Sequence, residues 1–292
     1  HQSRLKLVDL RGNDLREVPN AVLNPPAEQL SARARINGVT QLEDNRFEAD
    51  LWRSLDAFWV RVAADHPELA AQALPGAFRL DGHIPEIAMV RRMYPDKDVQ
   101  TAKAYWNAMD DATQKALPDR MQKFDLMAAQ LERYVQSSST ANVQTRQRVQ
   151  QVARSLKECW LNDSLTTLKL PKGRGPLPAL EADFSHVRSL EMNNIAWSDA
   201  GDRFLSSFTH LKKLSITQSD LGRLPASVEH MQQLTHLDLS NNRIALDEHT
   251  TNVITGLHQL SDLNLSGNPL DGIPDFTDMS GLEYLRLRNT EI

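Results

Sequence analysis

Cysteine is almost missing: one residue, Cys159, in a chain of 292. No internal disulfide is possible, and a cysteine-built zinc knuckle is excluded. The nine histidines form no H-E-x-x-H, so the common zinc-hydrolase signature is absent too. No metal or other cofactor is expected. No apolar run approaches the ~18 residues of a membrane-spanning helix. Long basic runs are lacking and the net charge is −5, so binding nucleic acid through phosphate neutralisation is not expected. No secretory leader is visible after His1. What is there, 40% hydrophobic and 24% charged residues, is a globular balance.

Leucine supplies the organising pattern. Leu234, Leu237, Leu239, Asn242 and Ile244 fit L-x-x-L-x-L-x-x-N-x-L, and so do Leu260, Leu263, Leu265, Asn268 and Leu270. This is a leucine-rich repeat. Alternate strand residues share a face, so Leu237 and Leu239 point into one core. A buried Asn offers a donor and an acceptor, which lets Asn242 and Asn268 bond the backbone of adjacent coils. The frame also runs through Leu165, Leu168, Leu170; Val187, Leu190, Met192; Leu211, Leu214, Ile216; and Leu282, Leu285, Leu287. First positions step by 22, 24, 23, 26 and 22 residues. Near-constant steps predict stacked coils of one solenoid. The first two coils depart from the template: Lys172-Gly173-Arg174-Gly175-Pro176 replaces a turn, and Ile195 stands where Asn belongs.

The same template fits Leu5, Val8, Leu10, Asn13 and Leu15, and Val18-Pro19 follows as Leu224-Pro225 and Ile273-Pro274 follow their coils. The chain thus opens inside a repeat and closes inside one at Ile292, which predicts a piece of a longer protein. Residues 30–47 hold the offsets of a degenerate coil at Leu42, Asn45 and Phe47 without its start. Asn45 with Glu48 also reads as a helix capping box. Helical spacing then predicts helices over 46–66, 85–93, 98–115, 118–136 and 141–160, with Pro118 in a first turn. The expected organisation is the end of an upstream repeat array (1–45), a helical capping domain (46–162) and a leucine-rich-repeat domain (163–292). The fold class is α/β: a helical domain followed by a curved solenoid with a parallel β-sheet.

Cys159, in Leu156-Lys-Glu-Cys159-Trp160, has no histidine near in sequence to lower its pKa. It reads as a packed thiol. Lys172-Gly173-Arg174-Gly175 lacks G-K-[ST] and reads as a turn. Asp96, Asp98, Asp110 and Asp111 read as helix-start or solvated carboxylates.

The repeats with their Leu-Pro steps, and the run Arg146 to Trp160 just before them, resemble bacterial leucine-rich effectors delivered into host cells. The resemblance is to NEL-type ubiquitin ligases of the IpaH/SspH/SlrP kind. It implies that the repeats choose a host target protein, and that the chain is secreted by a bacterium into host cytoplasm. In that family a helical domain after the repeats carries a catalytic Cys-x-Asp. Here the cysteine precedes the repeats and Leu161 stands two residues on, so no catalytic role carries over. This chain is expected to be no enzyme. The alternative is a non-enzymatic repeat scaffold.

A partner is expected on the concave sheet face, where residues alternating with the template leucines point outward. Among these, Tyr284, Arg286 and Arg288 are the expected anchors, since Tyr and Arg most often dominate binding energy. His236 and Asp238 are expected to add selectivity, with Lys213 and Asn264 on the same face.

Overall fold

The computed structural model describes residues 4–42, 45–47, 49–74, 77, 85–272 and 274–290. Glu48, Pro75-Gly76, Asp81-Gly82, Ile273 and Ile292 lie outside them, as does the side chain of Trp52. The chain divides into two compact units, residues 1–121 and 122–292.

In the first unit, β1 (Val8–Asp9) and β2 (Thr40–Gln41) pair in parallel, Val8 opposite Thr40. Short helices α1 (Asn20–Leu23) and α2 (Leu30–Asn37) connect them. The Asn45 side chain then does what the repeat pattern demands. Its Nδ2 donates to Leu10 O and Leu42 O, both at 2.9 Å, and its Oδ1 accepts from Leu15 N at 3.2 Å. The degenerate stretch 30–47 is therefore a second coil stacked on the first. Asn45 thus serves the second coil, and Glu48, the other half of the expected capping box, lies outside the described residues. After it, α3 (Ala49–Asp65) lays Leu55, Phe58, Trp59 and Val62 on Leu23, Leu30, Ala34 and Leu42. Leu69 of α4 (Pro67–Gln72) joins this core. α5 (Pro85–Met93) and α6 (Val99–Ala108) follow, and the Lys97 ammonium lies 5.3 and 4.9 Å from the rings of Tyr94 and Tyr105.

The expected helices 98–115 and 118–136 are redrawn. α6 ends at Ala108, and α7 (Asp111–Ser137) runs through Pro118. The cause is the cap: the Asp110 carboxylate accepts from Thr113 N at 2.7 Å and starts the helix upstream of the proline. One apolar stripe, Leu117, Phe124 and Leu131, keeps its register across Pro118 and is buried. Asp98 caps α6 in the same way, accepting from Thr101 N at 2.7 Å. These bonds hold both carboxyls below the usual carboxylate range.

The second unit contains the rest of α7, α8 (Val143–Leu161) and the repeats. The division thus falls inside the stretch expected to be one helical domain. The reason is the hydrogen bonding of residues 122–161. Tyr134 Oη donates to Pro176 O at 2.6 Å, Arg148 Nη1 to Pro171 O at 2.7 Å, and Gln130 exchanges two bonds with Glu181. These partners all belong to the first coil.

The repeat strands are β3 (Thr167–Lys169), β5 (Ser189–Asn193), β7 (Lys213–Thr217), β8 (His236–Asp238), β9 (Asp262–Asn264) and β10 (Tyr284–Arg286). They form one parallel sheet in that spatial order. The register aligns the template throughout: Leu168, Leu190, Leu214, Leu237, Leu263 and Leu285 stand side by side. A second small parallel pair, β4 (Gly175–Pro176) with β6 (Ile195–Ala196), forms beside it. α9 (Asp199–Ser206) and α10 (Glu248–Thr255) return the chain in two of the coils.

Buried asparagines lock coil to coil. Asn242 Nδ2 donates to Ile216 O of the preceding coil at 2.7 Å and to Leu239 O at 2.9 Å. Asn268 repeats this with Leu239 O and Leu265 O, and its Oδ1 accepts from Ile244 N. One position earlier the backbone turns left-handed in every regular coil: Gly12, Asn194, Gln218, Asn241, Gly267 and Asn289 have φ between 53° and 71°. Gly and Asn tolerate that conformation best. At Gly267 there is also no room, since an added Cβ would sit 2.3 Å from Asn241 Oδ1.

Two coils bury their leucines less completely. Leu5 is 53% exposed and Leu285 40%. The equivalent Leu234 and Leu237, with a coil on each side, are at 0% and 1%. Leu165, read as a template leucine, is 42% exposed. It sits in the turn that leaves α8, bonding Asn162 O through its backbone N.

Candidate functional site

The open sheet face follows from the two-residue strand period. With every template leucine turned inward, the alternate residues form columns across the strands. One column reads Thr167, Ser189, Lys213, His236, Asp262 and Tyr284. The next reads Lys169, Glu191, Ser215, Asp238, Asn264 and Arg286. Lys213 and His236 are therefore neighbours, as are Asp238 and Asn264. Tyr284, Arg286 and Arg288 share the last coil.

Hydrogen bonding separates these residues into occupied and free. Asp238 Oδ1 accepts from Ser240 N at 2.9 Å, and Asn264 Oδ1 from Ser266 N at 3.0 Å. Both side chains fold back to satisfy their own strand's exit. Arg286 forms an ion pair with Asp262, and its guanidinium lies 5.6 Å from the Tyr284 ring centre. Lys169 pairs with Glu191 at 3.5 Å. His236 engages Nδ1 with Thr235 Oγ1 at 2.8 Å, which turns Nε2 away from its own strand. The side chains of Lys213 and Arg288 bond nothing among the described residues, and Tyr284 is 57% exposed. The groups without a hydrogen-bond partner among the described residues are thus the side chains of Lys213 and Arg288, His236 Nε2 and Tyr284 Oη.

Cys159 has a neighbour that its sequence surroundings do not show. Its Sγ lies 3.8 Å from His186 Nε2, and the same nitrogen lies 2.8 Å from Cys159 O. Bonding to a carbonyl makes Nε2 an N–H donor, so it has no lone pair for the thiol. Burial pushes the thiol pKa up to about 11. The pair is a packing contact rather than a nucleophile with its base. Iodoacetamide at neutral pH is expected to leave Cys159 unlabelled in the folded chain and to label it fully in denaturant. Rapid labelling of the folded chain, checked by mass spectrometry, contradicts this.

Among the described residues no three His, Cys, Asp or Glu side chains gather at metal-binding distance. No described helix is long and apolar enough to cross a membrane.

Residues 233–257 match the family described as Leucine Rich Repeat. The volume-regulated anion channel subunit LRRC8A of human and of mouse is 28% identical over 130 residues, which is 44% of this chain and 16% of that protein. The chain thus spans about a sixth of the length of these relatives. Among solved structures, an internalin (InlF) of Listeria monocytogenes matches 44% of this chain and 36% of its own at 23% identity, with a TM-score of 0.37. A leucine-rich-repeat protein of Leptospira interrogans matches 45% and 38% at 22% identity, with a TM-score of 0.35. With the asparagine ladder and the aligned parallel strands, residues 163–292 have a leucine-rich-repeat fold that contains one matched repeat.

Proposed function

We propose that residues 163–292 recognise a host protein on the concave sheet face, and that the chain is the target-binding region of a secreted bacterial effector of the NEL type. The observation that carries the docking surface is the set of groups on one open sheet face without a hydrogen-bond partner among the described residues: the side chains of Lys213 and Arg288, His236 Nε2 and Tyr284 Oη. An open face free of loops with unpaired polar groups suits docking better than the coil edges, whose amides are taken up by the ladder. The effector reading is supported by the Leu-Pro steps and by the segment Arg146–Trp160 preceding the repeats. The chain itself acts by binding and not by catalysis: its cysteine is buried and unactivated. The localisation that follows is host cytoplasm after secretion. The second reading, a non-enzymatic scaffold, uses the same face and differs only in lacking a ligase partner domain.

The test is capture from host lysate followed by affinity measurement with the partner so identified. Tyr284→Ala, Arg286→Ala and Arg288→Ala together are expected to weaken binding at least about tenfold, roughly 1.4 kcal/mol. Lys213→Ala is expected to add a smaller loss. Unchanged affinity for a partner that still requires the repeats places docking elsewhere and ends this reading.

A further inference from the structure

Arg148, on α8, is 4% exposed. Only its Nη1 is satisfied, by Pro171 O at 2.7 Å; Nε and Nη2 are buried with no hydrogen-bond partner among the described residues. No carboxylate pairs with it there. A buried guanidinium without counter-charge is costly, so its surroundings need explaining.

Its stem runs directly beneath the loop that replaces the first coil's turn. A Cβ added at Gly173 would lie 3.2 Å from Arg148 Cδ, and one at Gly175 3.3 Å from it. Gly173 has a φ of +110°. The backbone N–H groups of Lys172, Gly173 and Arg174 donate to nothing among the described residues. Successive free N–H groups around a left-handed residue form a concavity that attracts anions. The side chains of Lys172 and Arg174 are exposed on the same loop, and Asp220, 3.5 Å from Arg174, is the acidic group that faces it. The loop is held at its near end by Arg148 Nη1 on Pro171 O, at its far end by the β4–β6 pair and Tyr134 Oη on Pro176 O, and between them by Arg174, which reaches Asn194 Oδ1 at 3.3 Å and Asp220. Admitting a ligand to the guanidinium requires residues 172–174, whose own backbone N–H groups are unbonded among the described residues, to lift.

We infer that the Lys172–Pro176 loop and the Arg148 guanidinium under it form a binding site for a small tetrahedral oxyanion of the phosphate or sulfate class. The planar fork presents two unpaired nitrogens, Nε and Nη2, from below. The loop presents backbone N–H groups and the Lys172 ammonium from above, with Arg174 beside it shared with Asp220 and Asn194. Water bonds such groups too, but supplies no negative charge.

The experiment is a titration of the full chain with inorganic phosphate, then sulfate, at constant ionic strength set with chloride. The arginine Nε–H signals are followed by nitrogen-15 NMR. One slowly exchanging signal is expected to shift saturably with both oxyanions and not with chloride. Arg148→Lys removes that signal. Lys172→Ala with Arg174→Ala, both at exposed positions, is expected to weaken the saturable shift several-fold while the fold persists. The melting midpoint rises with oxyanion concentration in the parent chain. An unmoved buried signal, an equal response to chloride, or a common drift of all arginine signals overturns the site. So does an unchanged titration in the Lys172/Arg174 double variant, which keeps the test decisive should Arg148→Lys fail to fold.

Discussion

Replacing Trp160 by alanine is expected to destabilise the repeat unit by about 3–5 kcal/mol. Trp160 is 5% exposed, at the last turn of α8, with its ring 5.9 Å from that of Phe124 on α7. Val152, Leu156 and Cys159 on the same helix are buried beside it. Stacked coils bury their leucines against one another, and the first coil has a helix pair where another coil would otherwise lie. Losing the indole leaves a cavity that neighbours on two helices and a sheet cannot all collapse into. Because the chain has two units, the measurement must report on the second alone. Amide exchange in β5 and β7 does so. Protection there is expected to fall with the global stability of that unit, while exchange in α3 stays unchanged. A loss below about 1 kcal/mol, the size of a single methylene, contradicts a buried junction at Trp160.

The repeat was legible because its physics is local and periodic. Leu237 and Leu239 two apart, with Asn242 three further on, specify a strand, its inward face and the way out of it. The step between copies then specifies a parallel stack. The degenerate coil at 30–47 was legible for the same reason: Asn45 kept its offset from Leu42 although the coil's start was lost. The left-handed position was not legible: Gly12, Asn194, Gln218, Asn241, Gly267 and Asn289 recur one place before the ladder residue, and a leucine template does not reveal it.

What stayed hidden depends on contacts distant in sequence. His186 meets Cys159 from 27 residues away, and Arg148 meets Pro171 from 23. Nothing local announces either. Pro118 signalled a helix start by its residue type, and the capping carboxylate of Asp110 won. The open sheet face was legible as a face but not in its hydrogen bonding. The strand period gave Asp238, Asn264 and Arg286 as outward, and only the structure shows them engaged with Ser240, Ser266 and Asp262. Whether an exposed polar group is free is decided by its neighbours across the sheet.

The ladder asparagine makes the second large prediction. Asn242 is 5% exposed, and leucine shares its branched shape and number of side-chain heavy atoms. Its Nδ2 serves Ile216 O and Leu239 O, and its Oδ1 serves Ser219 N at 3.0 Å and Leu221 N at 3.3 Å. Asn242→Leu keeps the space filled and strips its bonds from Ile216 O, Ser219 N and Leu221 N, while Leu239 O keeps Asn268 Nδ2. Each such group costs roughly 1–3 kcal/mol when left unpaired, and local relaxation recovers part, so a loss of about 3–5 kcal/mol is expected. The neighbouring coil sets the contrast. There Ser219 holds the same position, its Oγ accepting from Ile195 N at 2.9 Å and donating to Thr217 O at 2.8 Å. A small hydroxyl thus suffices for part of the ladder. Asn242→Ser is therefore expected to cost less, about 1–2 kcal/mol, despite leaving more empty space than leucine. Urea unfolding ranks the two variants, and amide exchange at Ser219 and Leu221 locates the damage. If the serine variant is the less stable, packing volume governs this position and the hydrogen-bonded ladder does not.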